Sequence, residues 1–404
     1  MTPKPPSRPR NPMHHSRHLV RLGLWLAFLG GTLPAPSAVV PESFAHPRPG
    51  RVFAFPRDHG SHPEFRIEWW YVTGHLWNAA SNRFGFQSTF FRTAGPRTAL
   101  PAPGPRATEA FGLDQLFLAH AACLEADTGT FHHRERLHRE GWAAGSSLAT
   151  LHVWNEGASL ALLPEPSSTD SPAVSPPAKL RLVDAIRGEL SWDLTLTAAK
   201  PLVFFGTNGV SRKGASPTAA SHYLTFPRLQ AEGRLTIGET THTVHGIAWM
   251  DHEFGSSQLA EDQTGWDWLA IQLHDGRELM AYRLRRRDGS TDPYSTVAWV
   301  DRTGKVTQFS AAEFRLDSLA RWRSPRSGAE YPQGLRLRVP DPQTGAVAEF
   351  ELVPLARDQE LPGAIGDVPY WEGACRVRDA AGAEVGVGFV ELTGYAGNLS
   401  GTLR

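Results

Sequence analysis

Asp251, His252 and Glu253 stand consecutively within residues 249–255 (WMDHEFG), three ionisable groups framed by Trp249, Met250 and Phe254. Residues 241–248, leading in, are rich in Thr, Val and Ile and predict a strand. Continued through the motif, strand alternation puts Trp249, Asp251 and Glu253 on one face and Met250, His252 and Phe254 on the other. A carboxyl held among apolar walls has its pKa raised by desolvation and can donate a proton near neutral pH. Asp251, His252 and Glu253 are therefore the candidate catalytic set. The competing account is an Asp and a Glu that end a strand before a turn at Gly255, satisfied by backbone donors.

Other chemistries lack their residues. His252-Glu253 has neither the HExxH spacing nor a following PCxxC, and the only two cysteines, Cys123 and Cys375, are far apart, so no metal or other cofactor is expected. Residues 255–257 (GSS) do not supply the GxSxG of a serine hydrolase. His132, His133 and His138 lie in a polar stretch and fit a solvated surface. Aromatic residues crowd the strands that carry Asp251 and a second acid, Asp267. Trp69, Trp70, Tyr71, Tyr223, Trp249, Trp266, Trp268 and Tyr282, with Asp267, are the candidate ligand-binding residues, an apolar wall with a few polar groups.

The elements that must position these groups are short strands. Residues 68–77 and 84–92 predict a hairpin around a turn at 78–82, with Trp69, Tyr71 and Thr73 on one face and Glu68, Trp70 and Val72 on the other. Residues 233–237 and 241–251 predict a second hairpin around Gly238-Glu239, and Pro227 demotes residues 222–229 to an edge or bulge position. Asp275-Gly276 predicts a two-residue turn that sets Leu269 opposite Tyr282, Trp268 opposite Arg283 and Asp267 opposite Leu284. That register stacks Trp268 on Arg283 and makes Asp267 the one polar member of an apolar face, in need of a donor such as the Tyr282 hydroxyl. Short strands continue to residue 392, and only residues 311–323 carry a helical period beyond two turns. Proline-rich stretches at 97–108 and 164–177 predict loops. The whole reads as all-β, in barrels or sandwiches.

Lys plus Arg and Asp plus Glu number 41 each, so the net charge is zero and a nucleic-acid partner has no electrostatic footprint. Thirteen Trp and twenty Phe against seven Tyr suit β structure and apolar pockets. Near the start, His14, His15, Arg17, His18 and Arg21 precede an apolar run at 22–33, then small residues at Ala35, Ser37 and Ala38 and again at Ser43 and Ala45. This is the order of a secretory signal, too short to span a bilayer comfortably, with a retained anchor as the alternative. The expected layout is 1–45 signal peptide and linker, 46–250 a first domain and 251–404 a second, the mature protein being periplasmic or secreted.

Six stretches in order, residues 55–76 (FPRDHGSHPEFRIEWWYVTGHL), 222–229 (HYLTFPRL), 246–259 (GIAWMDHEFGSSQL), 265–285 (GWDWLAIQLHDGRELMAYRLR), 370–374 (YWEGA) and 388–395 (GFVELTGY), together resemble the AttH-like, carotenoid 1,2-hydratase-related family of predicted secreted hydrolases. The resemblance implies two consecutive lipocalin-like antiparallel β-barrel domains. In the hydratase branch an Asp in a Tyr-His-Asp-His-Asn run donates the proton to a carbon–carbon double bond. Asp251 matches that Asp and His252 the following His, while Trp249, Met250 and Glu253 depart from it. The function implied is an exported protein that binds an apolar isoprenoid- or lipid-like molecule and hydrates or isomerises a C=C bond with acid help. A non-catalytic periplasmic carrier of such a ligand, working with ABC transporter components, is the alternative, and a secreted hydrolase the third reading.

Overall fold

The computed structural model describes residues 44–95, 115–164, 177–257, 259–363, 365 and 368–397. The expected signal segment up to residue 43, and the interiors of both expected proline-rich loops, lie outside the described residues. No helix among those described is long and apolar enough to cross a membrane, and the one helical element among them is the 3-10 turn Arg57–His59.

Everything else regular is strand. The first sheet is built from β1 (Ile67–Asn78), β2 (Arg83–Ala94), β3 (Gln115–Glu125), β4 (Thr130–Arg139), β5 (Ala144–Ser146), β6 (His152–Asn155), β7 (Ala158–Leu162), β8 (Lys179–Ile186), β9 (Leu190–Ala198), β10 (Val203–Phe204), β11 (Val210–Arg212), β12 (Ala220–Ile237) and β13 (Thr240–Ser257). Its order is β4-β3-β2-β1-β13-β12-β9-β8-β7-β6-β5, and the sheet curls until its edges β4 and β5 approach. The second sheet takes β14 (Gln263–Leu273), β15 (Glu278–Arg286), β16 (Thr296–Val300), β17 (Val306–Ser310), β18 (Arg315–Ser318), β19 (Arg321–Arg323), β20 (Glu330–Pro332), β21 (Leu335–Pro340), β22 (Val347–Pro354), β23 (Glu360–Leu361), β24 (Tyr370–Asp379) and β25 (Glu384–Leu392), apart from β19 and β20, which pair only with each other. Its order is β17-β16-β15-β14-β25-β24-β22-β21-β18. The all-β, lipocalin-like class is thus what the chain adopts. The last strand of the first sheet ends at Ser257 and the first strand of the second begins at Gln263.

Burial patterns say which strands meet water. β8 (KLRLVDAI) and β9 (LSWDLTLTA) alternate apolar-in and polar-out, as strands with one solvated face must. β1, the second half of β13, β14 and β15 are buried on nearly every residue, so both of their faces are covered. One face packs inward: Trp70, Val72, Phe86 and Met250 join the first core, and Leu269, Ile271, Leu279 and Trp299 the second. The other face looks across to the opposite sheet, where Tyr71, Tyr223, Trp249, Trp268, Tyr282 and Phe389 form a third cluster drawn from both halves.

Turn chemistry fixes the registers. Ile237 pairs with Thr240 around Gly238 (φ +56°), as expected. Pro227 sits in a β-bulge, where the register slips between Phe226 and Leu229. The 275–276 hairpin differs from expectation by one residue. The Leu273 N–H bonds the Arg277 carbonyl, so His274, Asp275 and Gly276 (φ +88°) form a three-residue loop ending in a left-handed glycine. Trp268 therefore faces Tyr282 and Asp267 faces Arg283. Asp267 is fully buried, yet its donors are Arg283, Arg285 and the Tyr395 hydroxyl, not Tyr282. Residues 311–323 carry strands β18 and β19 in place of a helix, because Leu316 pairs with Leu337 and is buried in the second core.

Candidate functional site

The covered outer faces do not close completely. Between them lies a cavity of about 290 Å³, mostly apolar. The first sheet contributes Trp69, Tyr71, Phe91, Tyr223, Asp251 and Glu253, and the second Trp266, Trp268, Tyr282, Glu372 and Glu391. Strand pairing sets its polar groups in two rows. Thr225, Asp251, Tyr71, Thr89 and His120 are successive cross-strand partners on the first sheet. Glu372, Glu391, Trp268 and Tyr282 are successive partners on the second. Hydrogen bonds between lining residues tie the walls together, among them Tyr71 hydroxyl to Glu372 Oε2 (2.9 Å), Trp268 Nε1 to Tyr223 hydroxyl (2.9 Å), and His120 Nδ1 with Tyr370 hydroxyl (2.5 Å).

Asp251 is 2% exposed. Its Oδ1 accepts from Thr225 Oγ1 (2.6 Å) and Trp249 Nε1 (2.8 Å), and its Oδ2 from the Tyr223 hydroxyl (2.6 Å). Burial outweighs those three bonds and, with the nearby Glu253 charge, pushes its pKa up to about 7. Trp249 Nε1 can only donate to Oδ1, whereas the Tyr223 hydroxyl can accept, so Oδ2 is the oxygen suited to carry the proton of the neutral acid. The Oδ2 hydroxyl then donates to the Tyr223 oxygen, which also accepts the indole of Trp268, and the phenolic proton of Tyr223 is turned toward the cavity.

Two further acids face the cavity. Burial pushes Glu391 up to about 7 against the bond from Trp266 Nε1 (2.9 Å), and burial with the Glu391 charge holds Glu372 well above the carboxylate range. Glu372 Oε1 is buried without a hydrogen-bond partner. Glu253 differs: Lys213 Nζ lies 3.2 Å from its Oε2 and the Ser221 hydroxyl donates to it. Lys213 also lies over the ring of Tyr282 (4.1 Å). Lys213, Glu372 and Glu391 were not among the residues singled out from sequence. The two glutamates carried the same signal as Asp251, a lone acid in an apolar strand (YWEGA, FVELTG), whereas Lys213, just after β11, carried none.

Of the residues expected at the site, Asp251, Glu253, Trp69, Tyr71, Tyr223, Trp266, Trp268 and Tyr282 line the cavity together, and Trp249 reaches it through its bond to Asp251. Trp70, Asp267 and His252 lie elsewhere. Trp70 belongs to the first core, Asp267 to the arginine cluster of the second sheet, and His252 to the opposite face of β13, stacked on Trp70 with ring centroids 4.9 Å apart. There His252 Nε2 meets Glu68 Oε1 (2.9 Å), as does His62 Nδ1 (2.8 Å), while Arg92 Nε, the Ser61 hydroxyl and the His62 N–H take Oε2. Among the described residues His62, Glu68 and His252 are the one group with ligand atoms close enough for a metal ion. The spacing is that of hydrogen bonds, however: both oxygens of Glu68 are taken by protein groups and the Arg92 charge lies beside them, while His252 Nδ1, buried, is left without a partner. The network pins the segment before β1 onto the sheet.

The sequence profile of the AttH-like family matches residues 46–395. A crystal structure described as an AttH of Nitrosomonas europaea is similar at 33% identity, covering 87% of this chain and 100% of that one with a TM-score of 0.73. Kievitone hydratase of Nectria haematococca shares the fold at 15% identity, covering 88% and 98%, with a TM-score of 0.60. No curated protein matches the sequence.

Proposed function

The chain belongs to the AttH-like family, and from that premise we propose that it binds an apolar, alkene-bearing molecule of isoprenoid or lipid type between its two sheets and adds water to a C=C bond. The observation that carries this reading is Asp251: a carboxyl poised at about 7, buried in the wall of an aromatic cavity and aimed at the Tyr223 hydroxyl. A general acid works best with a pKa near the operating pH. The likeness in fold to a hydratase is in keeping with it.

The residues divide the work as follows. As the alkene π pair takes the Tyr223 proton, the Asp251 proton replaces it, so a new C–H bond forms and the charge that appears on carbon is balanced by the Asp251 carboxylate. The cation sits between aromatic faces, Trp69 and Tyr71 on one wall and Trp266 and Trp268 on the other, which attract positive charge. Water forms the C–O bond and its extra proton passes to a carboxylate of the wall; that carboxylate then releases the proton to solvent as Asp251 takes one up, so the site returns to its starting state. Walls that exclude bulk water keep the cation from being quenched at random. We place this chemistry outside the cytoplasm, after removal of the signal segment.

Deuterium incorporation tests the reading. The full chain is incubated in heavy water with dihydromyrcene, a small terpene with one trisubstituted double bond, and with longer prenyl alkenes. Wild type should label the carbon next to the cation and form the tertiary alcohol, and Asp251→Asn should slow both by roughly 100-fold or more. An alkene that binds and leaves unlabelled would overturn the acid role and leave a carrier serving transport components.

A further inference from the structure

Glu372 on β24 and Glu391 on β25 are direct cross-strand partners, and both line the cavity. Each has one oxygen engaged by the protein, Oε2 of Glu372 by Tyr71 and Oε2 of Glu391 by the Trp266 indole. The Oε1 of Glu372, in a residue 1% exposed, has no partner at all. Buried polar atoms of native proteins are seldom left so. No cation neutralises the pair: Lys213, the one Lys or Arg lining the cavity among the described residues, is engaged by Glu253 and by the ring of Tyr282. Two carboxyls on one face of neighbouring strands in apolar surroundings resist ionising together, so at least one of them stays protonated, and with Glu391 at about 7 the other is open to ionisation near neutral pH.

Such a pair offers a donor and an acceptor at once, the pattern that a hydroxyl group or a water molecule matches and a hydrocarbon or a ketone does not. We infer that Glu372 and Glu391 form the seat of an oxygen across the cavity from Asp251, first that of the water to be added and then that of the tertiary alcohol it becomes. The inference rests on the proposed hydration. Tyr71 links the two ends, being the strand neighbour of Asp251 and the hydrogen-bond donor to Glu372. The ionised member of the pair takes the proton that water loses as the C–O bond forms, and the neutral member keeps the product hydroxyl bound. The ligand class is accordingly an apolar chain whose reacting end is recognised both as a trisubstituted alkene and as its hydrate.

Binding separates this seat from the acid. Headspace gas chromatography gives affinities for dihydromyrcene, for dihydromyrcenol, the tertiary alcohol that hydration makes from it, and for citronellol, which carries its hydroxyl at the far end of a like skeleton. Glu372→Leu should weaken dihydromyrcenol roughly tenfold or more while leaving dihydromyrcene unchanged, and Glu372→Gln, which keeps a donor and an acceptor, should stay within about threefold of wild type. Folding of each variant is checked by its melting temperature, and the alkene affinity serves as an internal control of the cavity. If Glu372→Leu moves alcohol and alkene alike, or if wild type prefers citronellol to dihydromyrcenol, the seat is wrong while the acid role of Asp251 stands. If none of the three binds wild type, the hydration reading and the seat fall together.

Discussion

Asp251→Asn should raise stability at alkaline pH and lower it at acid pH. Below about pH 3 the wild-type residue is neutral whether folded or not, and the amide is the poorer fit: its Nδ2 can donate to the Tyr223 oxygen as the neutral acid does, but it brings a second N–H into a position where Oδ2 has Tyr223 as its one partner. The variant loses about 1 kcal/mol there. From the unfolded value of 3.8 to the folded value of about 7, the folded carboxyl holds a proton that the unfolded chain releases. Stabilisation from a raised pKa is complete below the unfolded value and is lost as pH rises, so wild type falls relative to the variant by about 1.4 kcal/mol per pH unit across that window. Above pH 7 the loss levels off at about 4 kcal/mol, leaving the variant ahead by about 3 kcal/mol. Urea midpoints of both proteins, measured at intervals from about pH 4 to 8, give the difference directly. Curves that run parallel across the range would mean that Asp251 is an ordinary ionised carboxylate held by its three donors, and the acid assignment would be wrong.

Tyr223→Phe keeps the ring in the apolar cluster and removes the phenolic proton, so deuterium labelling of dihydromyrcene should drop roughly 100-fold with ligand affinity little changed; unchanged labelling would show that Asp251 reaches the alkene directly. Glu68→Ala leaves Arg92 buried and unpaired and should cost about 3–5 kcal/mol in urea denaturation. A metal chelator should leave the wild-type midpoint where it was, since both oxygens of Glu68 are already taken by protein groups; a fall on chelation would reassign the His62–Glu68–His252 group as a metal centre. Asp267→Asn unpairs Arg283 and Arg285 and should destabilise by about 3 kcal/mol, with affinity for dihydromyrcene per folded molecule unaltered, because Asp267 lies away from the cavity.

What could be read in advance was local. Alternation along residues 249–254 correctly separated Asp251 and Glu253 from His252, and the strand series correctly gave an all-β chain. Trp70 was drawn into the expected site by adjacency, and His252 by adjacency and by its match to the hydratase motif, although the same alternation sends both to the other face. The hairpin register slipped because an Asp-Gly pair suits either a two-residue turn or the last two places of a three-residue loop, and the choice is made by pairing with β25, which no local pattern records. The cavity itself was beyond reach for the same reason. Tyr71 and Glu372 are 301 positions apart in the chain, and what brings them together is the packing of two finished sheets.

A single-barrel binding protein keeps its ligand where its core would otherwise be, so a change of ligand is also a change of core. Here both cores are filled, by Trp70, Phe86 and Leu182 in one and by Leu269, Trp299 and Leu337 in the other. The side chains that line the cavity, among them Thr89, Phe91, Leu118 and Leu284, lie outside both of these cores. Under the proposed function, inheritance of the fold and inheritance of ligand preference would therefore be carried by different residues. A lineage, or a designer, can exchange the second while leaving the first intact.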